Sequence, residues 1–331
     1  MGIKSLTQSI QKYSPESIQT ENLYKLSGKK VAVDASLIIY QQLLSNTKVY
    51  TNNDGKMTNH ISGIFYKIMN YISLNIELVF VFDGKPPDNK QDCINGRKEK
   101  SNKAKELEGK AKTNEEKEKF HKASLRITKE IIDDVKHLLN LLGISYIHPD
   151  VGEGEAYASE LCRMGYVDYV LTEDMDTIAY GCPKLIRRCV DRSNKRRDVV
   201  SVFNYEKIIH DFDMDYDQFL DFCILCGCDY TSSVPKIGHI TAMKLFKEHG
   251  TIDEIMKNTK FDFPENYKEQ FQLAKDNFLL FRDKLNIEEL TFHTSTANIF
   301  EIEKYLVNTI NMNQKRVQNA LKKFHNNYNG K

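Results

Sequence analysis

Stretches of consecutive apolar residues alternate with helical patterns through the first two thirds of the chain. Continuous runs such as Val-Phe-Val-Phe at 79–82 are typical of strands buried on both faces of a parallel sheet. The predicted strands are Lys30–Asp34, Leu78–Asp83, Ile144–His148, Asp168–Thr172, Leu185–Val190 and Val199–Phe203. The predicted helices between them are Ser36–Ser45, Met57–Asn75, Lys117–Leu142 and Gly154–Met164. This alternation predicts an α/β fold to about residue 230, with a mostly parallel twisted sheet flanked by helices.

The pattern becomes helical after Phe203. The predicted helices there are Tyr216–Cys226, His239–His249, Ile252–Lys257, Tyr267–Phe278, Phe300–Ile310 and Gln314–Phe324. A separate segment, Gly96–Lys119, is rich in Lys and Glu and has almost no large apolar residue, so it cannot form core. Its composition favours a solvated helical insertion.

Composition excludes several classes of protein. The 331 residues, 40% of them hydrophobic and 28% charged, suffice for one large or two ordinary domains. No apolar run approaches the roughly 18 residues of a membrane span, and the first 30 residues lack a signal-peptide core. Leu6 occupies the position where an N-terminal myristoylation signal needs Ser or Thr, so we do not expect a lipid anchor. Seven scattered cysteines indicate reduced thiols, and we expect an intracellular protein that is not secreted.

Charge is distributed unevenly although the net charge is only +1. Basic residues exceed acidic ones in three segments, Lys90–Lys129, Lys184–Arg197 and Lys304–Lys331. The balancing acids occur at three kinds of place. Asp34, Asp83, Asp174 and Asp176 end or follow predicted strands, Glu153 and Glu155 begin a helix, and Asp229 follows the helix Tyr216–Cys226. Because the carboxyl ends of parallel strands share one edge of a sheet, we expect most of these side chains to converge there.

A cluster of carboxylates needs cations, and oxygen ligands without paired His or Cys favour Mg²⁺ or Mn²⁺ over Zn²⁺. Two such ions are able to drive phosphodiester hydrolysis, and the basic segments suit a polyanionic substrate. Each acid on its own is also explained as a turn former, a helix cap or a helix N-terminal charge. From these residues two classes stay open: a metal-dependent nuclease or phosphatase, and a metal-free nucleotide-binding or scaffold protein.

Blocks of sequence also resemble the structure-specific 5′ nucleases of the xeroderma pigmentosum group G type, most closely the flap endonuclease branch. The matching blocks are Met-Gly-Ile-Lys-Ser-Leu at 1–6, Val-Ala-Val-Asp-Ala-Ser at 31–36, Val-Phe-Asp-Gly-Lys-Pro-Pro at 81–87, Glu-Gly-Glu-Ala at 153–156, Thr-Glu-Asp-Met-Asp at 172–176 and Leu-Cys-Gly-Cys-Asp-Tyr at 225–230. They occur in order and at family spacing from Met1 to about Phe324. The resemblance implies a PIN-like nuclease core with a helical arch insertion and a helix–turn–helix DNA clamp.

The resemblance implies roles for individual residues. The seven acids would hold two Mg²⁺ ions, for which Mn²⁺ would substitute. Lys90 and Arg97 match a basic pair on the helix at the base of the arch, where they would stabilise charge in the transition state. The remaining implied DNA contacts are Gly2, Tyr40, which would stack on a base, Lys122, Arg126, Lys129, Lys236, Gly238, Lys244 and Lys247. Lys122, Arg126 and Lys129 recur every three or four residues, which predicts a shared helix face.

The clamp and the C-terminal end depart from the family pattern. Lys236 replaces the first Gly of the clamp loop, and His239-Ile-Thr replaces the Pro and basic residues that usually follow. Ser233, Val234 and Ile237 match the backbone carbonyls that hold K⁺ in the family, so K⁺ binding is expected at the altered loop. The segment ending at Lys331 lacks the usual sliding-clamp-binding pattern of a Gln, an aliphatic residue and paired aromatics.

The resemblance leads to a specific expectation: a monomeric, Mg²⁺-dependent 5′ flap endonuclease and 5′→3′ exonuclease acting on branched DNA in replication and repair. The compartment would be the site of DNA replication, either nuclear or, for viral replication, cytoplasmic. We predict four regions: 1–92 and 136–230 as nuclease core, 93–135 as arch and cap, and 231–331 as clamp and C-terminal helices. Two alternatives are less favoured by the sequence. Excision-repair nucleases of the same superfamily usually have a longer insertion between the two nuclease blocks than the segment Phe82–Gly152. A catalytically silent protein that binds DNA junctions would not need all seven acids.

Overall fold

The computed structural model describes residues 2–45, 51–87, 90–190, 196 and 198–328. Its strands are β1 (Ile18–Asn22), β2 (Lys30–Asp34), β3 (Glu77–Val81), β4 (Ser145–Ile147), β5 (Tyr169–Leu171), β6 (Lys184–Arg188) and β7 (Val199–Asn204). Its helices are α1 (Leu6–Tyr13), α2 (Ala35–Ser45), α3 (Asn59–Ser73), α4 (Gln91–Lys110), α5 (Asn114–Ser124), α6 (Lys129–Leu142), α7 (Gly154–Arg163), α8 (Asp176–Ala179), α9 (Tyr205–Phe212), α10 (Tyr216–Cys226), α11 (His239–His249), α12 (Ile252–Asn258), α13 (Tyr267–Leu279), α14 (Ile299–Lys304) and α15 (Gln314–Tyr328). No described helix has the length and apolar character needed to cross a membrane.

The chain forms two compact units, each made of several separate segments. The first comprises Met1–Lys25, Asp83–Cys93 and Asp150–Glu289, and the second comprises Leu26–Phe82, Ile94–Pro149 and Leu290–Lys331. The four regions predicted from blocks of sequence do not have the bounds of these two units, and they stay a prediction.

In the first unit β5 pairs parallel with β6, while β7 runs antiparallel to both β6 and β1. The edge strand β1 was not predicted, because its sequence Ile-Gln-Thr-Glu-Asn carries only one apolar side chain. Helices α8 to α13 pack over one apolar core that contains Phe203, Phe212, Phe222 and Phe278, all fully or almost fully buried. All seven cysteines of the chain carry free thiols, as their scattered positions predicted.

In the second unit β2, β3 and β4 are all parallel, in register from Lys30 opposite Glu77 to Val81 opposite Ile147. Buried apolar side chains on both faces of these strands account for their continuous apolar sequence. Helix α3 packs against α2, α6 and α15. The predicted fold class, a mixed and mostly parallel sheet flanked by helices, is therefore confirmed.

The predicted helix Lys117–Leu142 is wrong. The chain leaves the helical conformation after Ser124, and Leu125 is extended with ψ 138°. The Oγ1 of Thr128 then accepts the backbone N–H of Ile131 at 3.3 Å and caps a new helix, α6. The extended residue after Ser124 ends one helix, and the Thr128 cap starts the next. The apolar spacing continues across this break, so the sequence pattern did not reveal it.

Candidate metal-dependent active site

Backbone pairing carries Asp83 to the start of α7. Asp83 lies two residues beyond β3, and the residues after it pair in parallel with Asp150–Gly152. The N–H of Lys85 donates to the Asp150 carbonyl, and the N–H of Gly152 donates to the Lys85 carbonyl, both at 2.9 Å. The backbone N–H of Gly154, at the N-terminus of α7, donates to Asp83 Oδ1 at 2.8 Å. Gly152 has a φ of +96°, and a Cβ there would lie 2.4 Å from the Phe281 ring, so the approach to α7 requires glycine.

The N-terminal segment packs directly against two acids. The N–H of Ile3 donates to Asp176 Oδ1 at 2.7 Å, and the N–H of Asp176 donates to Asp174 Oδ1 at 3.2 Å. Gly2 adopts a φ of +81°, and a Cβ there would lie 1.9 Å from Asp174 Oδ1. The close approach of backbone to carboxylates therefore explains why position 2 is glycine.

Lys90 is the positive charge within this acidic group. Its Nζ contacts Glu153 Oε1 and lies 3.7 Å from Asp229 Oδ2. Burial is the largest single influence on the pKa of Lys90 and acts to lower it. The charge and hydrogen bond of Glu153, together with the charges of Asp176 and Glu155, outweigh burial and raise the pKa above its usual value. The acids therefore favour the charged form of Lys90, and Glu155 in the first turn of α7 contributes to this effect.

Two buried tyrosines complete the hydrogen bonding of Glu153. The hydroxyl of Tyr230 donates to Glu153 Oε2 at 2.8 Å, and the Tyr180 hydroxyl lies 3.2 Å from that of Tyr230. Burial raises the pKa of both phenols well above their usual range, so both keep their protons. Sequence reasoning assigned neither residue a role. Tyr230 adjoins Asp229 within a recognised block, whereas Tyr180 gives no local signal.

The donor chemistry of these acids fits a hard divalent cation. Asp176 is 3% exposed, and its burial, followed by the neighbouring Asp174 charge, raises its pKa well above the ordinary value. A cation relieves the repulsion between the carboxylates of Asp174 and Asp176, and carboxylate oxygen is the ligand that Mg²⁺ and Mn²⁺ prefer. Among the described residues, no three acidic, His or Cys side chains are already closed around one point. The Lys90 ammonium instead contacts two of the carboxylates.

Six predicted site residues lie in the second unit: Asp34, Tyr40, Arg97, Lys122, Arg126 and Lys129. Asp34 ends β2, is 5% exposed, and accepts the N–H of Leu37 at 2.9 Å through Oδ1. Tyr40 lies on α2 and is 36% exposed. Arg97 is exposed on α4, which begins one residue after Lys90. The first unit thus brings together Lys90 and six of the seven predicted acids: Asp83, Glu153, Glu155, Asp174, Asp176 and Asp229.

The predicted common face of Lys122, Arg126 and Lys129 does not exist. Lys122 lies on α5, where it pairs with Glu118, while Lys129 is the first residue of α6. Arg126 lies in the extended link between these helices. Its guanidinium binds α4 instead, donating from Nε to Ser101 Oγ at 2.7 Å and from Nη2 to Asn102 Oδ1 at 2.8 Å and to the Lys98 carbonyl. The helix break after Ser124 separates the three cations.

The altered clamp loop keeps a conformation that suits glycine. Lys236 has a φ of +67° and an exposed side chain, and the N–H of Ile237 donates to the Val234 carbonyl at 3.2 Å. The neighbouring Ser233 hydroxyl contacts the ammonium of Lys4. Gly238 then precedes α11 with extended backbone, and α11 exposes two further predicted DNA contacts, Lys244 and Lys247. Residues 191–195 and 197 of the second basic segment and residues 329–331 of the third lie outside the described residues.

Comparison with known proteins identifies two regions of one family. The XPG N-terminal domain matches residues 1–104, and the XPG I-region matches residues 143–229. The chain is 36% identical over 335 residues to flap endonuclease 1 of Glycine max, covering 98% of this chain and 86% of that protein.

Solved structures of related nucleases have the same fold. Flap endonuclease-1 from Methanococcus jannaschii aligns with a TM-score of 0.68 at 26% identity, covering 94% of this chain and 96% of that one. The Holliday junction-resolving enzyme GEN1, solved in complex with product DNA and Mg²⁺, aligns with a TM-score of 0.65 at 19% identity over 98% of this chain and 78% of that one. The acid-rich start of α7 and these matches lead to one conclusion: the chain belongs to the XPG family of structure-specific nucleases, in its flap endonuclease branch.

Proposed function

We propose that this protein is a divalent-metal-dependent 5′ flap endonuclease with 5′→3′ exonuclease activity. It hydrolyses the phosphodiester at the junction between a single-stranded 5′ flap and duplex DNA, leaving a 5′-phosphate and a 3′-hydroxyl. It acts in replication and repair, as a monomer. The observation that carries the proposal is the group of acids around Lys90 at the start of α7.

The proposed ligands of two Mg²⁺ ions are the seven acids predicted from the sequence: Asp34, Asp83, Glu153, Glu155, Asp174, Asp176 and Asp229. When bound, such ions supply an activated water molecule and stabilise the leaving oxygen. Mn²⁺ substitutes because it accepts the same oxygen donors. The GEN1 structure with product DNA and Mg²⁺ supports this cofactor for the family fold.

The side chains outside the acids serve the DNA. Lys90, a buried cation among the acids, stabilises negative charge on the scissile phosphate, and Arg97 assists it. Tyr40 stacks on a base, and Gly2 contacts the DNA beside Asp174. The loop from Ser233 to Gly238 holds the duplex together with Lys244 and Lys247, using K⁺ at its backbone carbonyls. Lys122 and Lys129 contact the flap phosphates separately, since they share no helix face.

The deciding experiment compares end-labelled substrates: a 5′ flap, a nick, a blunt duplex and a four-way junction, each with Mg²⁺ or with EDTA. We expect Mg²⁺-dependent cleavage at the flap junction, slower removal of nucleotides from the nick, and no cleavage in EDTA. Preferred cleavage of the four-way junction would contradict the flap assignment. Binding of the flap without cleavage at any Mg²⁺ or Mn²⁺ concentration would contradict nuclease activity.

A further inference from the structure

The two oxygens of the Glu153 carboxylate have different partners. Oε1 contacts the ammonium of Lys90, and Oε2 accepts the hydroxyl of Tyr230 at 2.8 Å. The same tyrosine lies beneath the lysine, with Lys90 Nζ 5.5 Å from the centre of its ring. Tyr230 is thus in contact with both the anion and the cation at the centre of the site.

The direction of the hydrogen-bond chain follows from the donors available. An ionised carboxylate only accepts, so the Tyr230 proton is committed to Glu153. The Tyr180 hydroxyl, 3.2 Å from the Tyr230 oxygen, must then be the donor in that contact. The chain runs from Tyr180 to Tyr230 to Glu153, and each bond in such a series strengthens the next.

Packing fixes both phenols in place. Tyr180 and Tyr230 are 5% and 6% exposed. The ring of Phe278, on α13, packs against both phenols. Its centre lies 4.9 Å from the centre of the Tyr180 ring and 5.3 Å from that of Tyr230, and the planes of the Phe278 and Tyr230 rings meet at 89°. The terminal torsion of a glutamate is broad, so a carboxylate without such a donor rotates readily. A phenol held on two sides removes that freedom from Glu153.

We propose that Tyr230 is a positioning residue, which fixes Oε2 of Glu153 so that Oε1 faces the cations of the site, with Tyr180 fixing Tyr230 in turn. The inference rests on the proposed function, because it treats Glu153 as a metal ligand. Lys90 contacts Oε1, so the orientation set by Tyr230 serves both the lysine and the proposed metal.

The test is Tyr230→Phe, which removes the hydroxyl and keeps the ring against Phe278 and Lys90. Loss of a hydrogen bond to a metal ligand commonly costs about 10–100-fold in metal affinity or activity. We expect Mn²⁺ affinity, measured by electron paramagnetic resonance without DNA, to fall by about tenfold. The Mg²⁺ concentration for half-maximal cleavage should rise in parallel, while the rate at saturating Mg²⁺ stays within about threefold of the natural protein.

Three further variants make the result specific. Tyr205→Phe is the matched control, because its buried hydroxyl has no hydrogen-bond partner among the described residues, and it should leave Mn²⁺ affinity unchanged. Tyr180→Phe removes only the outer hydroxyl and should weaken Mn²⁺ binding less than Tyr230→Phe does. In a Glu153→Gln background, Tyr230→Phe should cause no further loss, since the two groups then act through one interaction.

Unchanged Mn²⁺ affinity in a folded Tyr230→Phe protein overturns the inference, as does an additive loss in the Glu153→Gln background. If Tyr230→Phe fails to fold, the smaller Tyr180→Phe change decides by the same measurement. Since Mn²⁺ binding is measured without DNA, a natural protein that binds Mn²⁺ but does not cleave a flap defeats the proposed function and leaves the Tyr230 result standing.

Discussion

Lys90 and Glu153 form an ion pair whose side chains are only 12% and 10% exposed. The two residues are 63 positions apart in the chain, and their contact lies at the N-terminus of α7. A desolvated pair of this kind strongly penalises the loss of one partner, because the other charge is left buried and uncompensated. Glu153 therefore needs a positive charge beside it, and Lys90 supplies one.

Lys90→Ala should lower the single-turnover cleavage rate by about 10²–10³, the usual cost of losing one preorganised electrostatic contact. Flap affinity should fall less, because this contact strengthens in the transition state. In EDTA the variant should also unfold at a lower temperature, and Mg²⁺ should restore more stability to it than to the natural protein. Lys100→Ala, an exposed position on α4, is the control. An affinity loss equal to the rate loss would contradict the assignment.

Asp174→Asn should reduce cleavage by several orders of magnitude while flap binding persists. The amide keeps an oxygen that is able to accept the N–H of Asp176, so the backbone contact survives while the negative charge is lost. Gel-shift affinity in Ca²⁺ and cleavage rate in Mg²⁺ measure the two effects separately. Asp253→Asn, an exposed acid on α12, should change neither quantity. Near-normal cleavage by Asp174→Asn would remove Asp174 from the ligand set.

Lys236→Gly should stabilise the protein by about 1 kcal/mol, because left-handed backbone costs a residue with a Cβ about 1–2 kcal/mol. Urea unfolding measures this gain. If Lys236 also contacts phosphate, the slope of duplex affinity against salt should flatten by about 0.9. Lys236→Asn separates the two effects, since Asn tolerates left-handed backbone and has no charge. A flattened slope with Gly but not with Asn would exclude a role for the charge.

Arg126→Lys should loosen the link between α5 and α6, because a lysine cannot reproduce the forked contacts with Ser101, Asn102 and the Lys98 carbonyl. We expect faster amide hydrogen exchange in α5 and in the facing half of α4. Lys122→Ala should leave this exchange unchanged, since its partner Glu118 lies on the same helix. Equal exchange in Arg126→Lys and the natural protein would show that these contacts are dispensable.

His60 should make the protein less stable at acid pH. It lies on α3 and is 2% exposed, and this burial lowers its pKa below 6.5. The Asp134 carboxylate, 3.4 Å from Nε2, acts to raise the pKa but does not outweigh burial. The other charges near His60 are Lys56 and Glu130. The unfolded chain therefore binds a proton that the folded protein does not, and stability falls as the pH drops below about 6.5. Urea unfolding from about pH 7.5 to 5.5 should give a shallower pH slope for His60→Gln. An identical slope would assign the acid sensitivity to another group.

Local sequence was sufficient where a pattern maps directly onto backbone geometry. The strand Lys30–Asp34 and the helices Tyr216–Cys226 and His239–His249 have the predicted bounds, because an apolar run or a helical period reports burial along a single element. Six of the seven acids are predictable for the same reason: they end or follow strands or begin a helix, and chain direction alone orients those ends. Asp229, which follows α10, is the exception.

Contacts between distant residues were decided only by the tertiary structure. The sequence contains Arg126 and Lys122 at helical spacing, yet the Thr128 cap and the Ser101 contact separate them. It contains Tyr180 and Tyr230 without any sign that their hydroxyls lie 3.2 Å apart beside Glu153. The physical reason is that periodicity encodes which face of an element is buried, whereas the choice of partner depends on the packing of elements 50 or more residues apart. The residue types in the chain account for the chemical character of the site, whereas packing sets which oxygen of Glu153 faces Lys90 and which faces Tyr230.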